Sequence, residues 1–104
     1  VHIHSDAAMA SVDITPGRKG PVKVRMYLET GEANPLNPKN VTLYLSRPND
    51  GIEAMEIDVK PSSDGAWETD SIVLPQAGEW HFRLDLLIDD FNKVILEDEI
   101  TIRD

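Results

Sequence analysis

Trp80-His81-Phe82-Arg83-Leu84-Asp85-Leu86-Leu87-Ile88 decides the fold. Trp80, Phe82, Leu84, Leu86 and Ile88 are apolar, while His81, Arg83 and Asp85 alternate between them. A period of two places the two sets on opposite faces of an extended strand. Leu87 is the one apolar residue on the polar face. Just upstream, Leu74-Pro75 and Gly78 bend the chain, which drops Trp80 into the core at a corner. Just downstream, Asp90 to Lys93 reads as a turn.

The same alternation recurs on both sides of this run. Met9 to Thr15 carries Ala10, Val12 and Ile14 on one side, and Pro16-Gly17 turns the chain. Val22 to Thr30 alternates Val22, Val24, Met26 and Leu28 with Lys23, Arg25, Tyr27 and Glu29. A long loop, Gly31 to Asn40, precedes a strand over Val41 to Ser46, and Pro48-Asn49-Asp50-Gly51 forms a turn. Ile52 to Val59 is a weaker strand, and Trp67 to Leu74 a fifth one. Trp67 has the opposite parity to Ile72 and Leu74, which predicts a bulge or a shared edge. Val94 to Ile102 closes the sheet. Asp98 shares the parity of its apolar residues, and an unpaired charge does not belong in a core, so a bulge or an edge position is predicted there.

No stretch sustains a 3.6-residue period. Seven antiparallel strands in about a hundred residues predict an all-β, seven-stranded immunoglobulin-like β-sandwich. Residues 9–104 form that sandwich, and residues 1–8 form an extended N-terminal segment ahead of it. The chain of 104 residues is one domain's length.

Ten Lys and Arg against 19 Asp and Glu give a net charge of −9. That balance argues against nucleic acid, whose phosphates demand clustered cations, and against an anionic membrane surface. With no cysteine, disulfides, thiolate catalysis and cysteine-ligated metal centres are excluded. No serine lies in a nucleophile elbow, no glycine loop cradles phosphate, and the paired carboxylates Asp89-Asp90 and Glu97-Asp98-Glu99 read as solvated strand and turn faces. The chain is not expected to be an enzyme. Val1 in place of Met points to a processed chain or an excised fragment.

The histidines carry the chemistry. In an extended segment, His2 and His4 point the same way, so two imidazoles can converge on one ion. Neutral imidazole suits Cu(II), Zn and Ni, while a thioether selects Cu(I). Met9 lies within loop reach, so His2, His4 and Met9 form a donor set suited to copper, with Cu(II) favoured and Cu(I) accommodated. Blue-copper electron transfer is excluded for want of a thiolate. The bland alternatives are an incidental His pair and a Met9 that fills core. His81, on the polar face of its strand, contributes only where the N-terminal segment crosses that face. Leu87, Tyr27 and Tyr44 on outward positions support a different reading, a metal-free protein-interaction or structural module.

Several segments together resemble a known family. They are His2-Ile3-His4 with Ala8-Met9-Ala10, Thr15-Pro16-Gly17-Arg18 with Gly20-Pro21-Val22, Val41-Thr42-Leu43 with Leu45-Ser46, and Gly51-Ile52-Glu53. Leu74-Pro75 with Gly78 and Trp80, and Asp90-Phe91-Asn92-Lys93 with Leu96-Glu97-Asp98-Glu99-Ile100, complete the set. Their order is similar to that in the soluble C-terminal domain of bacterial copper-resistance and copper-uptake proteins of the CopD type, including CopC–CopD fusions, and in YtkA-like extracytoplasmic β-sandwiches. The resemblance implies a periplasmic domain tethered to the cytoplasmic membrane through its parent. It also implies copper as cargo, and the parent's membrane portion and other extracytoplasmic copper proteins as partners. Only His2, His4 and Met9 carry over as ligands. Met9, Met26 and Met55 are dispersed, a departure from Met-rich relatives that weighs against high-affinity Cu(I) storage.

Overall fold

The structure, a computed structural model, describes residues 2–5, 8–32, 34–47 and 51–104. Eight strands account for most of them: β1 (His2–His4), β2 (Ala8–Thr15), β3 (Gly20–Thr30), β4 (Asn40–Arg47), β5 (Ile52–Pro61), β6 (Trp67–Leu74), β7 (Gly78–Leu87) and β8 (Lys93–Ile102). No helix occurs among the described residues. All seven expected strands form, most of them extended by up to two residues at an end, although the run expected to reach Ile88 stops at Leu87, and His2–His4 adds an eighth. The Pro48-Asn49-Asp50 part of the predicted turn lies outside the described residues.

The strands pair antiparallel in the order β1-β2-β3-β6-β5-β4-β7-β8. This single sheet curls until it is nearly closed. Among the described residues, the β5–β6 pairing runs through Lys60–Glu68 and Pro61–Trp67. Across the remaining seam β1 and β2 lie against β8. One end of that seam is pinned by backbone bonds: Lys19 N donates to Arg103 O and Arg103 N to Gly17 O, both at 2.8 Å.

Alternation explains the core. Val22, Val24, Met26 and Leu28 of β3 face inward, as do Trp80, Phe82, Leu84 and Leu86 of β7, and all are buried. Trp80 is fully enclosed, and its indole Nε1 donates to Gln76 O at 3.0 Å. Gly78 has φ of +116°, and an added Cβ would meet the Arg47 guanidinium at 3.0 Å. The backbone angle is what favours glycine at that corner, since the Arg47 guanidinium is the far end of a flexible side chain that can shift.

Both parity conflicts are resolved. The β3–β6 register passes from Val22–Ile72 to Val24–Thr69, so β6 holds one residue more than β3 across this step. That bulge turns Trp67 to the same buried side as Ile72 and Leu74, and Trp67 also stands at the β5–β6 junction. Asp98 pairs with Phe82 in an unbroken β7–β8 register but is exposed. It escapes the core because β8 is the last strand of the sheet.

The outer face of β4, β7 and β8 holds a charge network. Asp85 is only 6% exposed although its position faces outward. Arg83 Nε donates to it at 2.7 Å, Arg83 Nη2 at 3.1 Å, and Lys93 Nζ lies 2.9 Å away. Burial pushes the Asp85 carboxyl up, but the bonds from Arg83 and Lys93 outweigh it and hold the group below the usual carboxylate range. The Arg83 guanidinium in turn lies 5.3 Å from the Tyr44 ring centre.

Candidate metal site

β1 pairs with β2 through His2–Ser11, Ile3–Ala10 and His4–Met9. Alternation sends Ile3 into the core, 2% exposed, and turns both histidines outward. The His2 and His4 ring centres are 5.8 Å apart, with the planes inclined at 74°. Directly opposed residues in an antiparallel pair share a face, so half-buried Met9 joins His4 on the outer side. His4, Ser5, Met9 and Gly31 line one shallow, open depression there.

The hydrogen-bond phase draws His4 and Met9 together. Ser5 N donates to Ala8 O at 2.8 Å. Alternation along an antiparallel ladder then makes Ile3–Ala10 the next hydrogen-bonded pair and His4–Met9 a non-hydrogen-bonded pair. In such pairs Cα atoms are about 4.5 Å apart and the side chains approach more closely.

A separation of 5.8 Å between ring centres is short enough for one ion to lie between the two imidazoles at metal–nitrogen bonds of about 2.0 Å, were both nitrogens turned toward it. Among the described residues, no group of three or more His, Cys, Asp and Glu side chains could hold a metal. On the far side of Met9, Glu29 is its register partner on β3.

β1 is weakly held. Burying Ile3 contributes about 2–3 kcal/mol, and two backbone hydrogen bonds contribute about 1 kcal/mol each. Ordering a three-residue strand costs about 3–6 kcal/mol. The docked and released states of β1 therefore lie within about 1–2 kcal/mol of each other.

His81 does not join this set. Its Nδ1 lies 2.9 Å from Glu99 Oε1 and its Nε2 2.9 Å from Glu97 Oε2. When protonated, the imidazole donates to both carboxylates at once, a pairing the neutral ring makes only on one side. The bond to Glu99 leads in raising its pKa; partial burial opposes the rise and Glu97 adds to it. Sequence reasoning placed His81 on the outer face but missed this clasp, because the signal lies in the β7–β8 register. It also missed Ser5 and Gly31 at the rim of the depression.

Compared with models of protein families, with curated proteins and with solved structures, the chain matches none.

Proposed function

We propose that this chain is a copper-handling accessory domain with no catalytic role, which holds copper through His2 and His4 with Met9 as a third donor. The observation that carries the reading is that His4 and Met9 line one depression while the His2 ring lies 5.8 Å from the His4 ring, outside that lining but on the same exposed face of β1. Cu(II) is taken by the imidazoles, and Met9 favours Cu(I). Acidic surface charge raises the local cation concentration, an effect that fades with salt.

The domain belongs, on this reading, outside the cytoplasmic membrane, tethered there by a membrane-embedded parent of the CopD type. The finer architecture is an immunoglobulin-like sandwich, β2-β3-β6 facing β5-β4-β7-β8; the two-pair junction between β5 and β6 supports that division. The partners are the parent's membrane portion and other extracytoplasmic copper proteins.

Titration of Cu(II) into the wild type and into a His2→Ala/His4→Ala double variant tests the function. The double variant is expected to lose the tight phase. Equal affinity in both would end the copper reading.

A second reading, a metal-free interaction module, is favoured by Phe91, which is 96% exposed. Its turn is stiff: Asp89 Oδ1 accepts from Phe91 N at 2.8 Å, Asn92 N at 3.0 Å and Asn92 Nδ2 at 3.0 Å. A pre-ordered aromatic loses little entropy on docking. By contrast Tyr44 lies half-buried under Arg83 and Leu87 is half-buried, so neither is a free anchor. A chain that retains no copper after loading and desalting would favour this reading.

A further inference from the structure

We infer that the copper ion acts as a clasp between β1 and β2, so that metal occupancy decides whether the amino-terminal strand is docked. The inference rests on the copper reading above and adds a consequence to it.

Two of the three donors lie on β1 and the third on β2. An ion held by His2 and His4 alone stays wholly on β1 and ties it to nothing. An ion that also binds Met9 bridges two strands that otherwise meet through three register pairs and the Ile3 side chain. His4 and Met9 form a non-hydrogen-bonded pair, the arrangement in which cross-strand side chains come closest. The full donor set is assembled only when β1 is docked. By mass action, a ligand that binds only the docked state must stabilise it. The thioether therefore has a mechanical role as well as a chemical one, and Cu(I), the ion a thioether selects, is the better clasp. β1 also lies against β8, so occupancy closes the open seam of the sheet at this point.

Amide exchange measured by NMR under anaerobic conditions, with Cu(I) alone as the probe, tests this. Cu(I) is diamagnetic and leaves the signals sharp. The Ile3 amide, on the hydrogen-bonded pair with Ala10, is expected to exchange at least about tenfold more slowly when loaded. The Leu84 amide in β7 is expected not to change. Met9→Leu keeps the apolar volume and both imidazoles, so it is expected to bind Cu(I) without slowing Ile3. If the wild type binds Cu(I) and Ile3 exchange is unaltered, the clasp is wrong and the copper reading stands. Equal slowing in Met9→Leu also overturns the clasp. Failure of the wild type to bind any copper, Cu(I) or Cu(II), overturns both.

Discussion

Replacing Ile3 with Ala separates the strand that carries the imidazoles from the body that carries the thioether. Ile3 is 2% exposed, and a buried Ile→Ala change ordinarily costs about 2–5 kcal/mol. Here the cost is capped, because a three-residue strand at the edge of the sheet releases rather than keep a cavity. The loss cannot exceed the docking free energy of β1, about 1–2 kcal/mol. Leu84, fully buried in the middle of β7, has no such escape, and Leu84→Ala is expected to cost about 3–5 kcal/mol. Copper affinity should respond alongside stability. Losing about 2 kcal/mol of Ile3 burial lowers the docking equilibrium constant roughly 30-fold, so a strand docked by about 1–2 kcal/mol loses about two- to sixfold of its docked fraction, and the apparent dissociation constant of the three-donor site rises by about that factor. Urea denaturation and a Cu(I) competition titration on the same preparation measure the two effects. An Ile3→Ala loss as large as that of Leu84→Ala, or an unchanged Cu(I) affinity, would show that β1 is not the marginal, separately docking element described above.

Three further outcomes follow from the electrostatics and the corner geometry. His81 has a pKa raised by its bonds to Glu99 and then Glu97, so its contribution is complete below the unfolded value of about 6.5 and disappears as pH rises through the folded value. His81→Gln is therefore expected to cost about 0.5–1 kcal/mol near pH 5.5 and little near pH 8.5; a gap that widens with pH would contradict the clasp on that ring. Asp85, held below the carboxylate range against its burial, adds stability above an unfolded value of about 3.9 that is lost as pH falls through the folded one. Asp85→Ala, which removes the acceptor that Arg83 and Lys93 share, is expected to cost about 1–2 kcal/mol at neutral pH by denaturant melt, since both cations are partly exposed and can hydrate, whereas a loss as large as that of Leu84→Ala would contradict this. Gly78→Ala combines a positive φ with a 3.0 Å encounter with Arg47 and is expected to lower stability by about 1–3 kcal/mol, a figure that calorimetry checks.

The fold was legible wherever alternation ran long. Val22 to Leu28 and Trp80 to Leu86 each present four inward apolar residues, and each forms the strand that its pattern predicts. Even the mismatches spoke: the parity of Trp67 announced the bulge in β6, and that of Asp98 announced a sheet edge. His2–His4 is too short to show a period, so its pairing with β2 depended on Ile3 finding an apolar site that only the assembled sheet provides. The burial of Asp85 was equally hidden, since it is made by Arg83 beside it, Lys93 on β8 and Tyr44 on β4. For the candidate site, the common direction of His2 and His4 followed from extended geometry alone. The alignment of Met9 with His4 did not, because it is set by register, which residue type leaves open. Phe91 reads in the sequence as one residue of an acidic turn; its full exposure is a property of how Asp89 ties that turn together.

The central claim is that His2 and His4 together grip one copper ion. Electron paramagnetic resonance of the Cu(II)-loaded chain, after desalting and with copper quantified in the same sample, tests it most directly. One copper per chain with splitting from two nitrogens is predicted, falling to one nitrogen and weaker retention in His2→Ala or His4→Ala. A spectrum of oxygen donors alone, or nitrogen splitting that survives the double substitution, would contradict it.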